Sequence, residues 1–223
     1  GNAFDGCSSL KEITIPASVT DIDSNPFCGC TAMETVHVAP GNTVYKVQNG
    51  TTVDSADGKT LIAVAPTVSG EFSNSGYQKV GKGAFSHNRK ITSVVMPNVT
   101  EIYDYGFASN EYLEKASFGK LTSIGEYAFF ETAISEMPEI TAETRIGRYA
   151  FSFTNLTNVN IPDNAVIEEG TYSECMSLTT VVIGNNVKTI GERAFYYCSG
   201  LTEVSVPQGV TGLSKGVFES CSK

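Results

Sequence analysis

The stretch SLTTVVIGNNVKTIGERAFYYC, Ser177 to Cys198, is followed by SGLTEVSVPQGVTGLSKGVFESC, Ser199 to Cys221, and the two share one grammar. Phe195 and Phe218 lie 23 residues apart, as do Cys198 and Cys221. A fixed period of this size marks a solenoid, in which one supersecondary unit stacks on the next to build a continuous core.

Traced back along the chain, the pattern gives an aromatic anchor at Phe4, Phe27, Phe85, Phe107, Phe129, Phe151, Tyr172, Phe195 and Phe218, with spacings of 23, 58, 22, 22, 22, 21, 23 and 23. Five residues before every anchor but the first stands an aliphatic, Ile22, Val80, Ile102, Ile124, Ile146, Ile167, Ile190 or Leu213. Further apolar positions follow most anchors, as in Leu10, Ile13 and Ile15 or Leu201, Val204 and Val206. The last two of each set are two apart, so they share one face of an extended strand. Each unit therefore predicts a short strand, a turn, a second short extended piece ending at the aliphatic, and a tight helical turn around Ala-Phe. No single unit can bury its apolar set alone; a stack can.

Ile-Gly-x-x-Ala-Phe-x-x-Cys-x-x-Leu-x-x-Val-x-x-Pro, as it stands from Ile190 to Pro207, resembles the BspA-like class of leucine-rich repeats. The resemblance implies a curved, right-handed, β-rich leucine-rich-repeat solenoid of horseshoe type. A parallel sheet would line the concave side, with short second strands and short helical turns on the other. It also implies a secreted or surface-attached protein, with adhesion to host or partner proteins as the usual proposal. Fold alone does not assign function, because repeat scaffolds host many ligands.

The whole chain, 1–223, is expected to form one domain of about nine repeats. Its net charge of −9 argues against nucleic acid, which needs a basic stripe to release phosphate counterions, and against anionic membranes. No apolar run approaches the roughly 20 residues that span a bilayer. The chain opens inside one repeat and stops just after an anchor, so both ends are expected to be cut ends that associate end to end.

Cys7, Cys30, Cys175, Cys198 and Cys221 each stand three residues after an anchor, where the intervening repeats carry Asn88, Asn110, Thr132 and Thr154. Cys, Asn and Thr are all small and able to satisfy turn backbone from inside. A buried ladder of free thiols is the favoured reading. Neighbouring coils about 4.8 Å apart would also permit disulfides between Cys7 and Cys30 or from Cys198 to a neighbour. Cys28 lies off the ladder and is expected to be the exposed thiol.

The period breaks over 41–67. Short alternating runs at 44–47, 51–54 and 61–65, separated by Asn49-Gly50 and Asp57-Gly58, predict an antiparallel meander projecting from the solenoid. Val68 to Ser73 reads as a shortened strand that rejoins the pattern. Asn25-Pro26 departs from the small residue expected before Phe27, and Pro26 is expected to tighten that turn. Between Glu131 and Ser135 one residue is missing, so Ile134 and Met137 are expected to take the strand positions a step early.

Two surfaces are candidates for recognition. On the strands, the residues alternating with the core form a small polar concave face that includes Thr35, His37, Ser93, Val95, Lys115, Ser117, Asn158, Asn160, Thr180 and Glu203. Tyr105, Tyr127 and Tyr149 stand two before their anchors, repeat every 22 residues and predict a stacked column on an edge or the convex side. Tyr112, Phe130, Phe153, Tyr196 and Tyr197 add aromatic density nearby.

Catalysis finds no constellation. The histidines, His37 and His87, belong to no paired motif, and no nucleophile stands in a pattern with a base and an orienting group. No phosphate-binding loop, metal-ligand spacing or cofactor motif occurs. The reading is a non-enzymatic extracellular or cell-surface module that binds a protein or glycoprotein, with no nucleic acid and no membrane insertion. A structural spacer of a larger surface protein and a carbohydrate-binding accessory domain are the alternatives.

Overall fold

The computed structural model describes residues 3–221. Its strands are β1 (Glu12–Ile15), β2 (Thr35–Val38), β3 (Tyr45–Gln48), β4 (Thr52–Ser55), β5 (Thr60–Val64), β6 (Gly70–Ser73), β7 (Lys79–Val80), β8 (Ile91–Met96) and β9 (Glu101–Ile102). They continue with β10 (Lys115–Phe118), β11 (Ser123–Ile124), β12 (Arg145–Ile146), β13 (Asn158–Ile161), β14 (Thr180–Ile183), β15 (Thr189–Ile190), β16 (Glu203–Ser205) and β17 (Gly212–Leu213). No helix occurs among the described residues, so none is long and apolar enough to cross a membrane.

The chain is a β-solenoid whose coils stack parallel along three ladders. The first strands of the repeats pair in parallel as β1-β2, β6-β8-β10 and β13-β14-β16, with a register shift between Gly70 and Glu71 of β6. The short second strands build the parallel run β12-β11-β9-β7-β5, and β15 pairs with β17 further along. β7, β9, β11 and β15 each end at the aliphatic five before an anchor, and Val80, Ile102, Ile124 and Ile190 fill the core there.

The third ladder runs through the turns that carry the anchors. Sequence predicted short helical turns there; the backbone instead places a left-handed residue on either side of each anchor from Phe85 to Phe218. Two before the anchors, Gly83, Tyr105, Tyr127, Tyr149, Gly170, Arg193 and Gly216 have φ of 53–65°. Two after them, Gly6, Gly29, His87, Ser109, Glu131, Phe153, Glu174, Tyr197 and Ser220 have φ of 54–73°. With this alternation, amides at the odd offsets close local turns, as Ala108 donates to the Tyr105 carbonyl at 3.0 Å. Amides at the even offsets reach the next coil: Tyr105 N–H donates to Glu126 C=O at 2.9 Å, Phe107 to Ala128 at 2.8 Å and Ser109 to Phe130 at 2.7 Å. A non-glycine left-handed residue costs about 1–2 kcal/mol, and the inter-coil bonds over-determine the geometry that imposes it.

Inside this ladder the anchors form one column. Phe85, Phe107, Phe129, Phe151, Tyr172, Phe195 and Phe218 stack ring on ring at centroid distances of 4.7–5.7 Å and interplanar angles of 3–15°. The spacing follows from the roughly 4.8 Å rise between parallel coils, so ring stacking and backbone pairing share one repeat distance. Buried aliphatics from both strand ladders, including Ile102, Ile124, Leu113 and Val159, complete the core.

The small polar ladder beneath the turns faces inward. Cys30, Cys175, Cys198 and Cys221 donate their thiols at 3.0–3.2 Å to the carbonyls of Phe4, Phe151, Tyr172 and Phe195, each the anchor one coil earlier. Asn110 makes the same bond to the Phe85 carbonyl at 2.9 Å, while Thr132 and Thr154 turn to their own anchors, Phe129 and Phe151. All six cysteines are unbridged thiols. The expectation for Cys28 is overturned: Cys28 is buried and Cys7 is the exposed one. Cys28 sits one residue after its anchor, where its turn abuts the turn of Phe85, and its thiol points to the Ser86 carbonyl at 3.6 Å.

The insert over 41–67 holds the antiparallel strands β3-β4-β5. It does not project freely. β5 pairs in parallel with β7, so the meander extends the sheet of second strands, and the hairpin residue Gly50 accepts the Val36 amide of β2 at 2.7 Å. Asp54 of β4, 1% exposed, accepts the Tyr77 hydroxyl at 2.7 Å and ties the meander to the returning chain.

Candidate functional site

The strand face does not form one surface. Glu12 pairs with Thr35 and Thr14 with His37 on β1-β2; Lys115 pairs with Ser93 and Ser117 with Val95 on β10-β8; Asn158, Thr180 and Glu203 form one row on β13-β14-β16, and Asn160, Val182 and Ser205 the next. These three groups lie on separate sheets. The meander occupies the place beside β2. The second interruption falls at 132–142, which contains no strand. Ile134 is fully buried and Met137 packs against the core, but the shortened turn and Pro138 leave a single backbone bond to the following coil, Thr157 N–H to Ser135 C=O at 3.3 Å. Val182, 54% exposed, is the conspicuous apolar residue of this face, where Val95 is half-buried.

The tyrosines are brought together. Tyr105, Tyr127 and Tyr149 occupy the left-handed position two before successive anchors, which directs their side chains off the turn ladder. Their rings stack with centroids 5.1 Å apart for both pairs and interplanar angles of 4° and 8°. Phe130 packs its edge on Tyr127 at 5.5 Å, and Phe153 packs on Phe130 at 5.4 Å. Five rings thus form one connected surface cluster, with Tyr105 42% and Phe153 39% exposed.

A polar rim flanks the cluster. Arg148 pairs with Glu126 at 3.1 Å and with Glu169 at 3.5 Å, and the Tyr149 hydroxyl donates to Glu169 Oε1 at 2.7 Å. Partial burial and the Glu169 carboxylate push the Tyr149 hydroxyl up to about 12. Burial, with the neighbouring Tyr105 second, raises that of Tyr127. The Tyr127 and Tyr149 phenols are therefore neutral donors at physiological pH. The ion pairs are exposed and screened by solvent, so they orient the rim more than they stabilise it.

The two ends of the column differ. Beyond Tyr149 the next turn supplies Gly170, where an added Cβ would overlap the Tyr149 ring. Beyond Tyr105 stands Gly83, where the atoms nearest an added Cβ belong to Ser24, Asn25 and Ser86. Sequence reading located the column but not Gly170 as its cover. The signal was present in the repeat register, since Gly170 holds the same offset from its anchor as the tyrosines.

His37 is exposed on β2 and His87 is exposed at a left-handed turn position, 50 residues later. Among the described residues no group of three or more His, Cys, Asp or Glu is placed to hold a metal ion.

Comparison with known proteins agrees with this architecture. Curated proteins include no sequence match. A leucine-rich repeat protein from Eubacterium ventriosum is similar in structure, with a TM-score of 0.75 at 25% identity over 96% of this chain and 60% of its own. The pneumococcal vaccine antigen PcpA shares the fold, with a TM-score of 0.54 at 21% identity over 93% of this chain and 52% of its own. This chain therefore spans between half and two thirds of those proteins. In sequence, six copies of the BspA type leucine-rich repeat region match residues 1–51, 68–143 and 144–223. With nearly all its residues inside these matches, the chain belongs to the BspA-type leucine-rich repeat family.

Proposed function

We propose that this chain is a non-enzymatic module of an extracellular or cell-surface protein and that it binds a protein or glycoprotein through the aromatic face of its turns. The observation that carries the reading is the connected cluster of Tyr105, Tyr127, Tyr149, Phe130 and Phe153. Aromatic residues dominate the energetics of protein interfaces when a polar rim surrounds them, and Arg148, Glu126 and Glu169 supply such a rim. The rings are already fixed by stacking and by a hydrogen-bonded backbone, so little side-chain entropy is lost on binding. The strand face is a weaker candidate, because its polar residues are divided among three sheets and add no apolar centre.

The test is binding of the immobilised chain to extracellular-matrix proteins at physiological salt, where nonspecific charge effects are screened. Saturable binding that weakens at least about tenfold in the triple variant Tyr105→Ser, Tyr127→Ser and Tyr149→Ser, with an unchanged circular dichroism spectrum, is the expected result. Thr180→Ala and Asn158→Ala on the strand face should leave it within about twofold. Absence of binding across the panel would favour the spacer role.

A further inference from the structure

The turn ladder is continuous between Phe4 and Phe27, where Phe4 N–H meets Pro26 C=O at 3.1 Å and Gly6 meets Cys28 at 2.8 Å, and again from Phe85 to Phe218. It breaks at one step, between the turns of Phe27 and Phe85, which flank the insert. There Val64 of β5 takes the Ala84 carbonyl at 2.9 Å, and the Asn25 side chain bridges the carbonyls of Val64 and Ala84 at 3.0 and 2.9 Å. Gly29 N–H, whose counterparts in other coils reach the next turn, donates to no backbone carbonyl among the described residues. The two turns are pinned on their buried side and part at the surface.

The parting is a cleft of about 460 Å³, within the roughly 300–1,000 Å³ typical of small-molecule sites. Asp5, Asp23 and Ser24 line one wall, and Lys82, His87 and Tyr105 the other. Lys82 reaches Asp23 across it at 3.2 Å. The Tyr105 ring stacks on Tyr127 and on no other ring among the described residues, and Tyr105 lines the cleft. The open end of the tyrosine column and the break in the turn ladder therefore meet at one place, from two independent causes.

The chemistry of the walls selects a ligand class. An aliphatic group would strand two carboxylates and an ammonium without water. A phosphate would face Asp5 and Asp23, and a lone cation would face Lys82. A neutral polyol satisfies carboxylate, ammonium, imidazole and hydroxyl alike, because each of its hydroxyls both donates and accepts. One aromatic face beside such polar groups suits a ring with one apolar side, whose polarised C–H bonds meet the negative face of the tyrosine.

We propose that the cleft binds one pyranose unit of a neutral glycan, its less polar face on the open face of Tyr105 and its hydroxyls shared among Asp5, Asp23 and Lys82. This site shares Tyr105 with the protein-binding face, but its polar walls, Asp5, Asp23 and Lys82, lie outside that face, and it stands whether or not that face has a partner.

The experiment titrates the whole folded chain with the methyl glycosides of glucose, galactose, mannose and N-acetylglucosamine, followed by amide chemical shifts, with tetramethylammonium and phosphate as contrasting probes. One or more glycosides should saturate with Kd on the order of 1–10 mM, shifting amides of Ser24, Gly83 and Tyr105, the affinity expected of one small polar ligand. Tyr105→Ala should weaken binding at least about tenfold, and Tyr105→Phe, which keeps the ring, by less than about threefold. Asp5→Asn, at an exposed position that leaves the fold intact, should cost about fivefold. The proposal is overturned if no glycoside saturates below about 100 mM, if only tetramethylammonium or phosphate does, or if Asp5→Asn and Tyr105→Ala both bind as the wild type does.

Discussion

Gly170 lies flat against the ring of Tyr149: the backbone of one turn closes the column of tyrosines rising from the turns before it. The same glycine has a φ of 60°, so its lack of a Cβ serves both the conformation and the contact. Gly170→Ala should therefore destabilise the fold by about 2–4 kcal/mol, the sum of left-handed strain and displacement of the ring. Urea unfolding measures it. Gly83→Ala, with a φ of 61° but no contact closer than 3.6 Å, isolates the strain alone and should cost about 1–2 kcal/mol.

Asn110 is the imperfect rung of the polar ladder. Its Nδ2 serves the Phe85 and Phe107 carbonyls at 2.9 and 2.6 Å, but its buried Oδ1 has no partner. At Asn88 the corresponding oxygen accepts the amides of Lys90 and Ile91 at 2.9 and 3.0 Å. A cysteine in the ladder keeps the bond to the preceding anchor and carries no second polar atom. Asn110→Cys should thus stabilise by about 1 kcal/mol, seen as a higher urea midpoint at unchanged slope.

Asp54 sets a pH dependence. Burial raises its carboxyl above the ordinary carboxylate value, with the Tyr77 hydrogen bond opposing in part. A carboxyl with a higher folded than unfolded pKa holds its proton more tightly in the fold. Its contribution to stability is present at low pH and is lost as pH rises through the folded value. Asp54→Asn mimics the protonated group and keeps the acceptor for Tyr77. The stability of Asp54→Asn minus that of the wild type should therefore increase from about pH 4 to about pH 7, a difference in which the exposed carboxylates cancel.

Thiol accessibility follows the corrected placement. Cys7 is exposed and Cys221 half-buried, while burial pushes the thiols of Cys28 and Cys175 up to about 11. Titration of the native protein with a maleimide should show one fast equivalent at Cys7 and a slower one at Cys221, with the other four reacting only on unfolding. Rapid labelling of Cys28 would show that the turns of Phe27 and Phe85 do not meet.

Much of this was legible in the chain. A period of 21–23 residues located every anchor from Phe85 to Phe218, and the two hairpin glycines located the meander. The conformation of the turns was not legible. Tyr, Arg, Glu and Phe stand at left-handed positions because inter-coil hydrogen bonds demand that geometry, and those residue types carry no local preference for it. Gly83, Gly170 and Gly216, in register with the tyrosines, and Gly6 and Gly29 two after their anchors record the requirement. The division of the strand face escaped for a similar reason: one missing residue before Ile134 keeps the core filled while removing the strand. Cys28 was misplaced because its burial comes from Ser86, 58 residues away across the insert.

The turn ladder also has a direction. Every inter-coil amide of the turns points toward the carboxyl-terminal neighbour, as from Tyr105 to Glu126 and from Tyr127 to Arg148. The aligned peptide groups add like those of a helix, giving the stack an electrical polarity along its axis. A break such as the cleft is correspondingly one-sided, with a donor edge facing an acceptor edge. A duplicated repeat or a second copy joining this ladder must enter in the same orientation. Growth of the stack is therefore a vector process, head to tail, and symmetric pairing of two like edges is forbidden by the sign of its own backbone.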